Sequence, residues 1–444
     1  MTETAQKPGS GVRIYGLSPA MVAPWIIAGA FLLVMPFIFT SNSAITIMNQ
    51  MSITIIFALA YNMLLGQGGM LSFGHAVYMG FGGFMVVHVM NIVEANSLPL
   101  PLPVLPIFGG LFGMGLATIV GSFSTRKAGT VFAMISLGVG ELIAACSIII
   151  VAFFGGEEGI SGDRTYGLPF FGIEFLRQIE VYYLIAFWLM VSALLMYLFS
   201  RTPVGRMANA VRDNPERAEF LGYSARWVRF YSFSASGFFA GIAGGLFAIN
   251  YEILTEENLN LALSGSILLI TFLGGVGFFF GPIIGAIVFT LLQTVLSLQT
   301  ELWQLYVGAL FVATVMYFPG GLAGVLMMHV PAITLGKARL LIRPYIKTLI
   351  PAAFGILGVA AALETVFHRR SAATGEEEMT LFWITFNSHD ILPSVIILAV
   401  ILSGFWLARR NAPELVEAWH AANTPDAVEL PFRPPGRAAD GGAP

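Results

Sequence analysis

Charge is scarce in this 444-residue chain: aspartate, glutamate, lysine and arginine make up 11% of it, against roughly 25% in soluble globular domains. Only four residues are lysine and the net charge is −3, so the dense basic face that a nucleic-acid partner requires is missing. Cys146 is the lone cysteine, which excludes an intrachain disulfide and a cysteine-built metal cluster. A phosphate-cradling G-x-x-x-x-G-K-[ST] loop is also lacking. The single Gly-Lys pair, Gly336–Lys337, has Pro331 where the first glycine belongs and Ala338 where the hydroxyl belongs. No nucleophile–base or metal-ligand constellation stands out, so neither an enzyme site nor a resident cofactor or metal is expected. The opening "MTETAQKPGSGVRIYGLSP" is polar, without the apolar core of a signal peptide. It reads as a cytoplasmic tail, 1–20.

Apolar residues are what the chain has in excess, at 57% with a mean hydropathy of +0.80. Runs of about twenty apolar residues match the length of a helix that crosses a bilayer core. The expected fold is therefore an all-α polytopic membrane protein. Twelve spans are predicted, near 21–39, 43–65, 70–92, 104–124, 130–153, 181–199, 229–251, 261–278, 281–298, 303–318, 347–363 and 391–408. The glycine-rich 70–92 and the 281–298 run behind a tight "GFFFGP" turn are candidates for broken or re-entrant segments. This divides the chain into a core of about ten helices (21–320), a basic linker (321–346), a two-helix extension (347–408) and a Pro-rich tail (409–444).

Orientation follows from lysine and arginine. With the N-terminus in the cytoplasm, 18 of the 22 basic residues fall on the inner side and four on the outer, Arg164, Arg177, Arg369 and Arg370. The positive-inside rule then puts both termini in the cytoplasm. The outer loops are acidic, with Glu157, Glu158, Asp163, Glu174 and Glu180 in one and Glu252, Glu256 and Glu257 in another.

One inner segment, "RTPVGRMANAVRDNPERAEFLGYSARWVR" (201–229), holds nine of the 47 charged residues. Val204, Met207, Ala208 and Val211 recur at helical spacing and make one apolar face. Asn214 stands where an N-cap belongs, Pro215 suits the first helical position, and Glu216 meets the positive end of the dipole. Gly222 is placed to stop this second helix in the left-handed conformation. A helix of about seven residues is not stable alone in water, so it must dock, either back on its own bundle or on a cytoplasmic partner.

The same segment resembles the cytoplasmic coupling region of the LivM-type permeases of branched-chain amino acid ABC importers. Gly205, Arg206, Ala210, Arg212, Glu216, Ala218 and Gly222 meet that family's GR-x-x-x-A-x-R and E-x-A-x-x-x-G patterns. "NMLLGQGGMLSFGHA" (62–76), "ISLGVGELI" with "GGEEGISG", and "LGGVGFFFGPIIGA" (273–286) are similar to three further family stretches, in the same order, across about 60–320. Glu157–Glu158, where small or neutral residues are expected, departs from the pattern, as does everything after 325. The resemblance implies an inner-membrane permease subunit that works with a second homologous permease, two ATP-binding cassette ATPases holding ATP and Mg, and a periplasmic substrate-binding protein. It implies ATPase coupling for Arg206, Arg212, Glu216, Arg217, Glu219 and Gly222. Branched-chain or related amino acids are the implied substrates. Urea, amides or other small polar solutes are the alternative within the family, and an ion-coupled secondary transporter is the alternative outside it.

Two sets of intramembrane residues invite a functional reading. Gly68, Gly69, Ser72 and His75 lie in a glycine-broken stretch, which at the midplane would offer backbone N–H groups to a carboxylate, or would be a plain cytoplasmic turn. Glu141 is the one acidic residue deep in a span and is expected to face the bundle interior with a partner such as Ser136, His75 or Ser147. It reads either as a hydrogen-bond anchor or as part of the translocation path. The i+4 stripe Ser232, Ser236, Ala240, Gly244, Ala248 reads as a face for close helix packing. The extension reads as a peripheral hairpin, or as a cap over the outer mouth.

Overall fold

The computed structural model describes residues 19–424 apart from 97, 167, 171, 372–377 and 382–383; the expected tail 1–18 and the tail beyond 424 lie outside the described residues. The chain divides into two units, Met1–Val325 and Leu326–Pro444.

In the first unit α1 (Pro19–Ile38), α2 (Asn42–Asn62), α3 (Ala76–Asn96), α4 (Leu105–Ser124) and α5 (Thr130–Ile149) follow one another, and α6 (Val151–Phe154) is a single turn. The two-residue strand β1 (Ile160–Ser161) precedes α7 (Gln178–Arg201), which leads into two short helices, α8 (Pro203–Asp213) and α9 (Pro215–Phe220). Helix α10 (Ala225–Tyr251) follows, then β2 (Ile253–Leu254), which pairs antiparallel with β1. The unit closes with α11 (Leu261–Gly274), α12 (Gly281–Leu291), α13 (Trp303–Tyr317) and most of α14 (Gly321–Met328).

Helix α10 is the centre of this unit, packed along α4, α3 and α2. Its small residues set the spacing. A Cβ at Gly241 would run into the Gly109 carbonyl of α4, and one at Gly244 into the Met79 carbonyl of α3. Such contacts bring helix backbones together where lipid supplies no hydrophobic drive. The expected packing role of this stripe is what the structure shows.

The second unit holds α15 (Val330–Thr334), α16 (Arg339–Ser371), the hairpin β3 (Glu378–Leu381) and β4 (Ile384–Asn387), and α17 (Ile391–Asn423). Helices α16 and α17 pack on each other, Gly404 against Gly355 and the Pro351 carbonyl. Lys347 Nζ donates to both Glu414 carboxylate oxygens at 2.7 Å.

All twelve expected segments are helical, with corrections in number and extent. Among the described residues nine helices are long and apolar enough to cross a membrane, ten if the bent pair Trp303–Tyr317 and Gly321–Thr334 is one span. Val22–Ile38 and Gly281–Leu296 are shorter. Helix α3 begins at Ala76 rather than 70, because 68–75 carry no helix and Gly69 has a left-handed φ of 63°. The expected basic linker, 321–346, carries α14, α15 and the first turns of α16. Helices α16 and α17 both overrun 347–363 and 391–408, since Leu341, Ala422 and Tyr345 pack together beyond the apolar middles. That packing sustains helix where hydropathy alone gives no signal.

Candidate functional site

The charged segment forms the two short helices its signals specify. Thr202 caps α8, its hydroxyl accepting from the Gly205 amide at 3.2 Å. The Asn214 side chain accepts from the Arg217 amide at 3.0 Å to start α9. At the other end Gly222 has φ 84°; its amide donates to the Glu219 carbonyl at 2.9 Å and the Tyr223 amide to the Ala218 carbonyl at 3.2 Å. That double bond is the Schellman stop expected of a glycine here.

These helices dock on their own chain. Ala208 and Val211 of α8, Ala218 of α9 and Ala225 and Val228 of α10 make a small separate core, with Met207 against it. What remains outward is unusual for a solvated turn. Phe220 is 90% exposed and Leu221 64%, amid exposed Arg206, Glu216, Arg217 and Glu219. Phe220 and Leu221 thus form an exposed apolar pair ringed by charge.

Arg212 joins this segment to the broken helix. Its guanidinium donates Nη1–H to the Gly66 carbonyl and Nε–H to Asp213 Oδ1 at 3.0 Å. Gly66 lies in a π-helical turn, Met63–Gln67, that ends α2, so a fixed cation sits on the negative end of that helix. The arginine stem lies on Gly69, where a Cβ would stand 2.6 Å from Arg212 Cγ. The turn between α11 and α12 meets the same place. Asn62 Nδ2 donates to the Phe278 carbonyl at 3.3 Å, and a Cβ on Gly66 would come within 2.5 Å of the Val276 carbonyl.

From there 68–75 threads back into the bundle. Tyr61 Oη donates to the Ser72 carbonyl at 2.8 Å, the Phe73 amide to Ser136 Oγ at 3.1 Å, and the Ala76 amide to Ser264 Oγ at 3.0 Å. Gly74 packs on α5, where a Cβ would run into the Ser136 carbonyl oxygen and stand 3.1 Å from Gly140 Cα. His75 is fully buried, its ring between Phe57, Tyr61 and Tyr78. The Ser236 hydroxyl donates its one proton to the Ala60 carbonyl. His75 Nε2, 3.1 Å away, must therefore be the donor to Ser236 Oγ. Its Nδ1 is left a buried acceptor with no hydrogen-bond partner, as are Gln67 Oε1 and Ser72 Oγ.

The structure thus places Gly68, Gly69, Ser72 and His75 in one segment, holds that segment to Ser136 of α5, and ties it to Arg212. Glu141 is not with them. It is exposed on α5, not turned inward to a partner as expected. The reason is the helix period: Gly140 is the residue pressed on Gly74, and the next residue points about 100° away.

At the opposite end of the unit the loops interlock around Arg164, in sequence only one of the outer-loop charges. Its Nε donates to the Phe175 carbonyl at 3.1 Å and its Nη1 to the Ile249 and Asn250 carbonyls at 3.3 Å. Glu252, with a left-handed φ of 57°, accepts from the Arg164 amide at 3.0 Å. Beside them lies a cavity of about 540 Å³, with Asn91, Glu94, Ser161, Asp163 and Thr165 in its wall. The available signal was that this acidic loop carries just two basic residues, Arg164 and Arg177. Glu157 and Glu158, the departure from the family pattern, are both exposed. The glycines around them carry the turn, Gly155, Gly156 and Gly159 all having left-handed φ.

The family described as "Branched-chain amino acid transport system / permease component" matches residues 43–318. The high-affinity branched-chain amino acid transport system permease protein LivM of Escherichia coli K12 is 26% identical over 306 residues, covering 64% of this chain and 70% of its own. LivM of Salmonella typhimurium matches at the same identity and coverage. The autoinducer 2 import system permease protein LsrC of Klebsiella pneumoniae is 32% identical over 151 residues, 32% of this chain and 44% of its own. No solved structure matches.

Proposed function

The chain belongs to the family of permease components of branched-chain amino acid transport systems, and on that premise we propose that it is the permease subunit of an ATP-binding cassette importer for branched-chain amino acids. It forms the translocation path with a second, homologous permease and is driven by two ATPases that hold ATP and Mg. A periplasmic binding protein delivers the substrate. Both termini are cytoplasmic and the membrane is the inner one, in keeping with the 18-to-4 distribution of basic residues.

One contact carries this reading, the hydrogen bond from Arg212 to the Gly66 carbonyl. The exposed face of α9 docks on an ATPase, and α9 shares a small core with α8 and α10. Arg212 on α8 then holds the end of α2 and the segment 66–75. A movement of the ATPases on closing around ATP is thus handed to the backbone break at the inner end of the bundle. The ATPases bias which side the path faces through their different affinity for the two states. Arg206, Glu216, Arg217 and Glu219 serve docking, Arg212 transmission, and Gly222 the turn that presents Phe220. Gly68, Gly69, Ser72, His75 and Ser136 form the moving wall of the path.

The test is reconstitution of the whole importer in liposomes, with labelled leucine, isoleucine and valine offered beside urea and acetamide. ATP-dependent accumulation of the branched-chain amino acids, competed by one another and not by the amides, is the expected result. Accumulation of an amide or another small solute alone would move the substrate assignment, and accumulation without ATP would remove the importer reading.

A further inference from the structure

The second unit encloses a slot that it does not fill. Between α16, α17 and the β3–β4 hairpin lies a cavity of about 570 Å³ whose twelve lining residues are all apolar. Leu357 and Ala361 stand in its wall from α16, Ile384 and Phe386 from β4, and Leu392 and Ile396 from α17. In the hairpin Met379 pairs with Phe386 and Leu381 with Ile384, so one face of the ladder is apolar. The other face carries Thr380 and Thr385, their hydroxyls 3.0 Å apart. The wall itself is left uncovered: Leu392 is 70% exposed, Ile384 66% and Ile396 54%.

Length, polarity and charge together say what fills it. Helix α16 lines the cavity over 354–361 and α17 over 392–400, lengths of about 10 and 12 Å at 1.5 Å per residue. Half of a hydrocarbon core of about 30 Å is about 15 Å, so the slot runs most of the depth of one leaflet. Side chains without a donor or acceptor offer nothing to a polar solute. The hairpin end is cationic. Arg369 Nη2 donates to Ser394 Oγ at 2.9 Å and its Nε to the Ser388 carbonyl, and Ser394 follows Pro393 of the wall. Arg369 and Arg370 are both exposed, and no other lysine or arginine occurs between Lys347 and Arg409. Of the described acidic residues at this end, Glu378 is in register with the hairpin's polar face and Asp390 stands at the N-cap of α17. The arginine fork matches a phosphate group, and basic residues beside membrane helices attract anionic head groups.

We propose that this cavity holds an acyl chain of an anionic phospholipid from the surrounding bilayer, with its phosphate at Arg369 and Arg370. The site lies beyond residues 43–318, which the family model covers, and does not depend on the importer reading.

The full chain, purified from a membrane holding phosphatidylglycerol and phosphatidylcholine in equal amounts and then washed in detergent, is the material for the test. It should retain phosphatidylglycerol about tenfold or more over phosphatidylcholine, as two arginines at a lipid surface give. Arg370→Gln should cut that preference about fivefold. Leu357→Trp with Ile396→Trp, which fills the slot, should abolish retention with the melting temperature unchanged. Equal retention of the two lipids by the parent, or undiminished retention by the filled variant, would overturn the proposal. Should the filled variant not fold, a photoreactive benzoylphenylalanine at Leu392 decides in the unpurified membrane. Its adducts should be to phosphatidylglycerol above that lipid's share of the bilayer. Adducts to lipids in bulk proportion, to another polypeptide or within the chain would each refute the site.

Discussion

Helices α10 and α17 are both long and apolar, of 27 and 33 residues. In α10 83% of the most apolar stretch is buried, and in α17 6%, although α17 is the more apolar of the two. Hydropathy therefore reports the solvent a helix lives in and not how much protein surrounds it. What separates them is the size and polarity of their residues. Helix α10 carries Ser232, Ser236, Gly237, Gly241, Gly244 and Asn250, all buried, and its glycines meet other helices' carbonyls. Helix α17 buries only Gly404, Ala408 and Ala422 and is held mainly by one neighbour. The first is the axis of the transport unit. The second belongs to a hairpin in the part of the chain that the family match does not reach.

The harshest way to break that contrast is a large side chain on each helix. Gly241→Leu should prevent stable assembly, beyond the roughly 1–3 kcal/mol of ordinary overpacking, because the obstacle is the Gly109 backbone. Ser403→Leu on the exposed side of α17 should leave thermal melting of the purified protein within about 0.5 kcal/mol of the parent. Comparable melting of both variants would mean that α10 is not so packed.

Next in size is the exposed face of α9. Replacing Glu216, Arg217 and Phe220 together with alanine should leave folding intact, since none of the three is buried. Co-purification with the ATPases should fall by about tenfold or more, the effect of losing one interface anchor worth about 2 kcal/mol. Undiminished binding would place the ATPase elsewhere on the chain.

The smallest effect is expected from removing the second region altogether. A chain ending after Lys337 should keep ATP-dependent uptake largely intact, with lower abundance in the membrane. Assembly with both ATPases but no response to loaded binding protein would show that the hairpin has a docking role.

Much of this was legible in sequence because its causes are local. Each apolar run became a helix, and Asn214, Pro215 and Gly222 fixed the bounds of α9 because capping involves residues only a few positions apart. What was hidden depends on distant neighbours. Arg212 and Gly66 are 146 residues apart, and nothing in either stretch names the other. The expected start of α3 is too early because Met70, Leu71 and Phe73 are apolar enough to look helical, whereas Tyr61 and Ser136 bond to the backbone of a stretch that is not helical. The direction of Glu141 is hidden because its depth is a property of the run, while its direction is set by Gly140 meeting Gly74. Arg164 looked like a loop charge because its acceptors are carbonyls of α10 and of the turn before α7, which sequence cannot show.

The central claim is that Arg212 transmits ATPase movement to the break in the first unit, and the ratio of leucine transported to ATP hydrolysed tests it most directly. In Arg212→Ala the docking face of α9 is untouched, so the ATPases should co-purify at the parent's ratio and ATP hydrolysis should continue. Losing a hydrogen bond from a charged donor removes about 1.5–3 kcal/mol, so leucine moved per ATP should drop by about tenfold or more. An unchanged ratio in Arg212→Ala, with normal assembly, would contradict the account.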